Sequence, residues 1–400
     1  MHVDHERPVR TASPGADLTP ASVALLTPPG RAALAVVGVV GEAAARLVDR
    51  SFAARRGTPA TALEDGAIVV GTWRSDAGSA GEELVVVRRR RDLVEVHCHG
   101  GVAASAAVIA SLARSGAETV SWQEWLVRSG QSTVEAEARA AVAVAGGSKG
   151  AMILARQLAG ALDREFERIA TWRSHGDVVS ASAAGARLLR AARVGLRLVR
   201  PWRVVLAGAV NAGKSSLVNA LAGHARCLVS PQPGTTRDVV ETRLVVEGWE
   251  LDLVDTAGLR HESACDAVER EGIARALEAH AGADLVLRVV ESTDPELSRG
   301  AAEPGELLVV TKGDLLPAGT PIPPQAVLCS AVTGDGIASL AIRIAAMLVP
   351  EETAEPTLLA GAVPFTDRQL DELRRLLSPA DSPDDGGRPG GPARAETSPN

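Results

Sequence analysis

Gly208-x-x-x-x-Gly213-Lys214-Ser215 lies between an apolar run, RVVLA, and a helix-like run, LVNAL. This is the phosphate-loop pattern of a strand, a glycine loop and a helix start. Glycines let backbone N–H groups close around phosphates, and the helix N-terminus adds partial positive charge. Lys214 supplies a compact ammonium for the β- and γ-phosphates, where a guanidinium would be broad. The Ser215 hydroxyl is a magnesium ligand in this pattern. Ala212 and Ser216 complete the nucleotide-contacting stretch of the loop.

Further along, Asp255-Thr256-Ala257-Gly258 follows the apolar strand-like run LDLV. An Asp at such a strand end can hold Mg²⁺ through water, and the Gly258 N–H can reach a γ-phosphate. Next comes ELLVVTKGD, in which Thr311, Lys312 and Asp314 end another strand-like run. The Asp314 carboxylate can accept from guanine N1–H and the exocyclic amine. Adenine lacks that donor pair and would leave the carboxylate unpaired. The Lys312 stem can lie over the base, and Thr311 stands where Asn is commoner. AVLCSAVTG adds a strand with Ser330-Ala331 at the guanine edge. In this order and at strand ends, the set points to GTP with Mg²⁺ and disfavours an ATP-dependent kinase or transporter subunit.

The elements that must position these residues are legible from composition. The chain has 400 residues, so more than one domain is expected. Its net charge of −7 excludes a polybasic nucleic-acid wrapper. The longest apolar runs, such as 32–41, are too short to cross a membrane. The start, MHVDHERPVR, has no apolar leader core, which implies a cytoplasmic protein. Cys98, Cys227, Cys265 and Cys329 form no C-x-x-C pair. Of 42 Lys plus Arg, only Lys149, Lys214 and Lys312 are lysine, and two of these sit in the motifs above.

Residues 1–19 read as a flexible arm. Residues 20–118 read as an N-terminal α+β domain with Ala-rich helices at 41–55 and 102–114. Residues 119–200 read as helical, with one run over AMILARQLAGALDREFERIATW and breaks at Gly146-Gly147 and at 174–177. Residues 201–350 alternate strand and helix, which predicts an α/β phosphate-loop domain with a mostly parallel sheet. A short helical segment is expected over 351–378, and the Pro- and Gly-rich stretch 379–400 reads as a disordered tail.

The blocks GAVNAGKSSLVNAL, PGTTRDVVET, DTAGLR and AVEREGI, with LLTPPGRAALAVV and VEVHCHGG nearer the start, resemble the tRNA-modification GTPases of the MnmE (TrmE) family. The likeness covers most of 20–350. It implies a GTPase in which K⁺ replaces an arginine finger. Asn211, Ser230, Gln232 and Thr235 would hold the potassium, and Thr236 would join Ser215 and Asp255 on magnesium. Leu259, after the Asp255–Gly258 motif, cannot orient a water as a Gln would. The resemblance gives that role to Glu269. It also implies a homodimer through the N-terminal domain, a flavoprotein partner, and tRNA whose wobble uridine is modified.

Several positions depart from the family. Its folate-binding Arg falls on Gly38, a Glu on Arg91 and a Lys near Gly130, while P-G-E-F reads Trp122-Gln123-Glu124-Trp125. These changes count against folate as a cofactor. The family's C-I-G-K ending is replaced by ETSPN, no Cys follows Cys329, and the helical region is reduced. The alternative these departures raise is a paralogue that keeps the GTP cycle as a regulatory switch without tRNA chemistry.

Two further features carry a bland and a sharper reading. Arg187, Arg190, Arg193, Arg197 and Arg200 recur every three or four residues as a helical stripe, read as a solvated face before a phosphate contact. His97-Cys98-His99 offers three metal-ligand types in a row, read as structural for want of a fourth.

Overall fold

The computed structural model describes residues 20–75, 81–224, 240–255, 282–294, 303–317, 319–350, 355 and 357–378. The chain divides into two compact units, Met1–Ala140 and Ala141–Asn400.

The first unit is built on a seven-stranded sheet of β1 (Ser22–Leu25), β2 (Leu34–Val40), β3 (Phe52–Ala54), β4 (Ile68–Trp73), β5 (Glu82–Arg90), β6 (Leu93–His99) and β7 (Glu118–Thr119). Their order is β3-β4-β5-β6-β2-β1-β7, antiparallel except for β1 with β7. Valine alternation explains the layering. Val37, Val39, Val86, Val94 and Val96 point to one face. There they pack with α1 (Ala44–Asp49) and α2 (Val102–Arg114) through Val48, Val108 and Leu112. On the other face, α3 (Trp122–Arg128) lays Trp125 and Leu126 over Ala24, Val40 and Leu93.

One expectation needs correction here. The helix expected at 41–55 spans only Ala44–Asp49, because Phe52–Ala54 leaves it to pair with Trp73–Gly71 at the sheet edge. The first compact unit runs to Ala140, and α3 packs on its sheet. Helix α3 carries a readable start signal: Ser121 accepts from the Glu124 N–H, a Ser-x-x-Glu pattern.

The HCH segment is bound into the sheet. His97 Nε2 lies 3.0 Å and Arg89 Nη2 2.9 Å from Glu95 Oε2, and His99 Nδ1 lies 2.7 Å from Glu82 Oε1. Burial pushes the Glu95 carboxyl up, but hydrogen bonds from Arg89 and His97 outweigh it and hold it below its ordinary value. Cys98 is buried. Among the described residues no group of three or more His, Cys, Asp or Glu could hold a metal ion.

In the second unit, α4 (Thr133–Val144), which straddles the division, is followed by α5 (Ser148–Leu158), α6 (Ala161–Ser174) and α7 (Val178–Gly195). The single helix expected across 151–172 is broken by Gly160, whose φ of +81° is left-handed. Strands β8 (Trp202–Ala207), β9 (Val240–Val246), β10 (Trp249–Asp255), β11 (Leu285–Glu291), β12 (Glu306–Thr311) and β13 (Val327–Leu328) form a six-stranded sheet in the order β13-β12-β11-β8-β10-β9. Only β9 runs antiparallel, to β10. Helices α8 (Lys214–His224) and α9 (Ile337–Leu348) belong to this α/β layer. Near-continuous apolar runs such as VVLA and LVLRVV suit strands buried on both faces.

One helix beyond the sheet, α10 (Asp367–Leu377), packs on α6 and α7. Its approach is set by Gly185: a Cβ there would lie 2.4 Å from Leu377 Cδ1. The fully buried Gln157 amide donates to Gly361 O and accepts from Val363 N.

The arginine stripe is laced with ion pairs, while Arg190, Arg193 and Arg200 remain exposed. Arg187 pairs with Glu165 at 2.7 Å and Arg190 with Glu355 at 2.9 Å. Arg197 bonds to Asp284 and Arg200 to Asp367. The guanidiniums tie α7 and its continuation to α6, to the start of β11 and to α10. Among the described residues no helix is long and apolar enough to cross a membrane.

Candidate functional site

In an open α/β sheet the ligand crevice lies beyond the carboxyl ends of the strands, where strand order reverses. Here β8 stands between β10 and β11, and the expected motifs lie beyond these ends. β8 leads into 208–213 and then α8. A Cβ on Gly208 would sit 2.2 Å from Val289 O, so only glycine lets this loop cross β11 so closely. Gly213 has φ +86°, and Asn211, exposed at the loop tip, has φ +66°. Asn tolerates this left-handed conformation better than most residues.

Lys214 is buried, and its Nζ donates to Gly208 O at 2.9 Å and Ala209 O at 2.7 Å. The ammonium thus lies inside the loop, among carbonyls that a compact cation can satisfy. Ser215 Oγ donates to Asp255 Oδ2 at 2.8 Å. A hydroxyl and a buried carboxylate brought together from α8 and β10 are a hard-oxygen donor set. These residues fit Mg²⁺. Register supports the juxtaposition, since Asp255 pairs with Leu206, two residues before Gly208.

Across the sheet end, β12 delivers Thr311, Lys312 and Asp314. Thr311 Oγ1 donates to Ala212 O at 2.6 Å, tying the phosphate loop to this segment. Ser330 Oγ donates to Asp314 Oδ1 at 2.6 Å and accepts from the Val332 and Thr333 N–H groups at 3.2 Å. Asp314 is exposed while Ser330 is buried, so the serine orients a carboxylate that faces outward. Ala331 is exposed beside it. Gly313 N donates to Cys329 O at 2.9 Å, which stitches the two loops together. Burial pushes the Cys329 thiol up to about 12.

Two residues near this site escaped sequence reasoning. Glu291 Oε2 lies 2.8 Å from Lys312 Nζ, and Ser292 Oγ donates to Lys312 O at 2.9 Å. The available signal was weak: a polar Glu-Ser-Thr directly after an apolar strand. The structure therefore brings Gly208, Asn211, Ala212, Gly213, Lys214, Ser215, Ser216, Asp255, Thr311, Lys312, Asp314, Ser330 and Ala331 to one end of one sheet. Ser230, Gln232, Thr235, Thr236, Thr256, Ala257, Gly258, Leu259 and Glu269 lie outside the described residues.

The folate positions in the first unit do not fit that cofactor. A Cβ on Gly38 would lie 2.5 Å from Trp125 Cζ2 and 2.7 Å from Leu26 Cδ1. The indole fills the space over β2, so an arginine cannot stand there. Near Gly130, Arg90 Nη2 donates to Ser129 O at 2.6 Å. No one-carbon step follows from these residues.

A family model described as 50S ribosome-binding GTPase matches residues 203–312. A protein of Thermus thermophilus called tRNA modification GTPase MnmE is 34% identical over 393 residues, covering 88% of this chain and 86% of that one. A Xanthomonas oryzae pv. oryzae protein of the same name is 40% identical over 205 residues, covering 50% of this chain and 45% of its own. Among solved structures, the G domain of the T. maritima FeoB iron transporter is 29% identical, covers 36% of this chain and 98% of that one, and has a TM-score of 0.26. With a phosphate loop, a Ser215–Asp255 pair and an oriented Asp314 at one sheet end, and likeness running through both units, the chain belongs to the MnmE family and is a guanine-nucleotide-binding, GTP-hydrolysing enzyme that works with Mg²⁺.

Proposed function

We propose that this protein is a potassium-stimulated GTPase whose nucleotide cycle serves modification of the wobble uridine of tRNA. The observation that carries the tRNA reading is the extent of the Thermus likeness, 88% of this chain, well beyond the 110 residues or so of a generic GTPase match. By the same likeness the N-terminal unit would pair with a second copy, a flavoprotein would be the partner, and the setting would be cytoplasmic.

The chemistry is water attack on the γ-phosphorus, with the bond to the bridging β–γ oxygen breaking and GDP and phosphate leaving. Charge builds on the phosphate oxygens, so fixed positive groups there lower the barrier. Lys214 would turn its ammonium from the Gly208 and Ala209 carbonyls onto the β- and γ-phosphates. Ser215 and Asp255, with Thr236, would hold magnesium, and the Gly258 N–H would meet the γ-phosphate. Thr256, Ala257 and Ser216 would complete the phosphate contacts.

No arginine is available from the phosphate loop itself, which reads GAVNAGKSS. Potassium, when bound, would supply the missing positive charge. Its ligands would be Asn211, whose left-handed backbone sets its amide at the loop tip, with Ser230, Gln232 and Thr235. Glu269 would accept the proton of the attacking water through a second water. At the base, Lys312 and Thr311 would frame guanine, Asp314 would read its N1–H and amine, and Ser330 and Ala331 would line its edge.

The test is mass spectrometry of wobble uridines in tRNA from a strain lacking this gene. Loss of the side-chain modification, restored by the gene, is expected. Unchanged tRNA would refute the tRNA role and leave a GTP switch without that chemistry.

A further inference from the structure

We infer that Glu291 and Ser292 are positioning residues that hold Lys312 at both ends and so prearrange the wall against which guanine lies. The inference rests on the reading of 311–314 as the base-recognition segment.

Lys312 has φ +55° and ψ +40°, a left-handed conformation that side chains rarely adopt. Such a residue persists where its surroundings over-determine it. They do so here. The Lys312 carbonyl accepts from Ser292 Oγ and from Leu315 N, both at 2.9 Å. Ser292 is itself buried, and its N–H donates to Thr311 O at 3.0 Å. At the other end of the side chain, Nζ meets Glu291 Oε2 at 2.8 Å. Glu291 is in turn steadied by Thr293 Oγ1, which donates to Oε1 at 3.1 Å. The Lys312 ammonium, then the Thr293 hydroxyl, keep the Glu291 carboxyl below its ordinary value, so it is charged at neutral pH.

Register makes the bracket possible. β11 and β12 are parallel, and Glu291 lies opposite Thr311. The two strand ends are therefore level, and Glu291 and Ser292 meet Lys312 as it leaves β12. The lysine backbone is fixed by a buried hydroxyl and its head by a carboxylate, so the four-carbon stem is stretched between them. A stem already ordered loses less freedom when a base stacks on it. This also accounts for lysine at 312 in a chain with only three lysines: a point-like ammonium can sit on one carboxylate oxygen, where a guanidinium would seek a bidentate fork.

The experiment measures GDP affinity of the full chain by titration calorimetry for Glu291→Gln, Lys312→Ala and the double variant. Steady-state GTP hydrolysis and thermal unfolding without nucleotide are measured beside it. Glu291→Gln is expected to weaken GDP by about three- to fivefold, in line with a half-exposed ion pair. It should raise KM for GTP while leaving kcat and the nucleotide-free unfolding temperature unchanged. Ser292→Ala should act in the same direction on GDP affinity. Because Glu291 acts through the lysine, the double variant should bind no more weakly than Lys312→Ala alone. Unchanged GDP affinity in Glu291→Gln, or a double variant weakened by the product of the two single effects, would overturn the inference. Unchanged affinity in Lys312→Ala would overturn the base-recognition reading itself, and the inference with it.

Discussion

Thr311 Oγ1 donates to Ala212 O across 2.6 Å, so a single hydroxyl at the end of β12 fastens the base-reading segment to the phosphate loop. Thr311 is buried, and the same hydroxyl lies 3.3 Å from Val290 O. Replacing it by Val keeps the shape and strands the Ala212 carbonyl. A stranded buried polar group costs about 1–3 kcal/mol. Thr311→Val should lower stability by that order and weaken GTP binding, read by thermal unfolding and nucleotide titration. Wild-type behaviour in both would show the bond to be incidental.

The Ser330–Asp314 pair carries a prediction about base identity. Xanthine bears a carbonyl where guanine bears its amine, so an acceptor carboxylate should reject it and a carboxamide, which can donate, should not. Asp314→Asn should lose GTP affinity by about a hundredfold, the order expected when a charged pair of hydrogen bonds is removed. It should gain hydrolysis of xanthosine triphosphate. Ser330→Ala, which frees the carboxylate without removing it, should show a smaller loss and no switch. Preference for GTP retained in Asp314→Asn would place base recognition elsewhere.

Cys329 gives a pH prediction. Burial raises the thiol to about 12 in the fold, above its ordinary value when unfolded. A raised folded value means that the contribution to stability is whole below the unfolded value and fades as pH climbs from about 9 to about 12. Cys329→Ser should flatten that part of the stability curve. Near pH 9, an alkylating reagent followed by peptide mass spectrometry should leave Cys329 unmodified in the native protein and modify it in denaturant. Equal labelling in both would contradict the burial.

Gly38 and Trp125 predict that the N-terminal unit takes no folate at β2. Calorimetry with 5-formyltetrahydrofolate should show no binding to the full chain. Gly38→Arg alone should destabilise the protein by about 1–3 kcal/mol, as overpacking does. Micromolar folate binding by the parent protein would mean that the indole moves aside.

The phosphate loop, Asp255 and the T-K-x-D segment are legible in the sequence, because their chemistry demands particular residue types at particular spacing. The alanine-rich 102–114 run likewise announced α2. What could not be read depends on partners far along the chain. The Glu291–Lys312 pair exists only through the β11–β12 register. The arginine stripe has ordinary helical spacing, and nothing local shows that Glu165, Asp284, Glu355 and Asp367 come to meet it. Gly160 sits within a helix-like run, where a lone glycine usually signals tolerance; its left-handed turn becomes visible only once α5 and α6 fold against each other. Trp125 over Gly38 is a packing event between a helix and a strand almost 90 residues apart.

The most direct test of the whole account is the rate of GTP hydrolysis in KCl against NaCl at equal ionic strength, for the parent protein and Asn211→Gly. Glycine at 211 keeps the left-handed backbone unstrained while removing the amide that would hold the ion. The parent should hydrolyse GTP at least about tenfold faster in potassium, as expected for a charge placed against the transition state. Asn211→Gly should run at the same slow rate in both salts, with GDP affinity intact. Equal rates in KCl and NaCl for the parent protein would contradict the potassium-assisted mechanism.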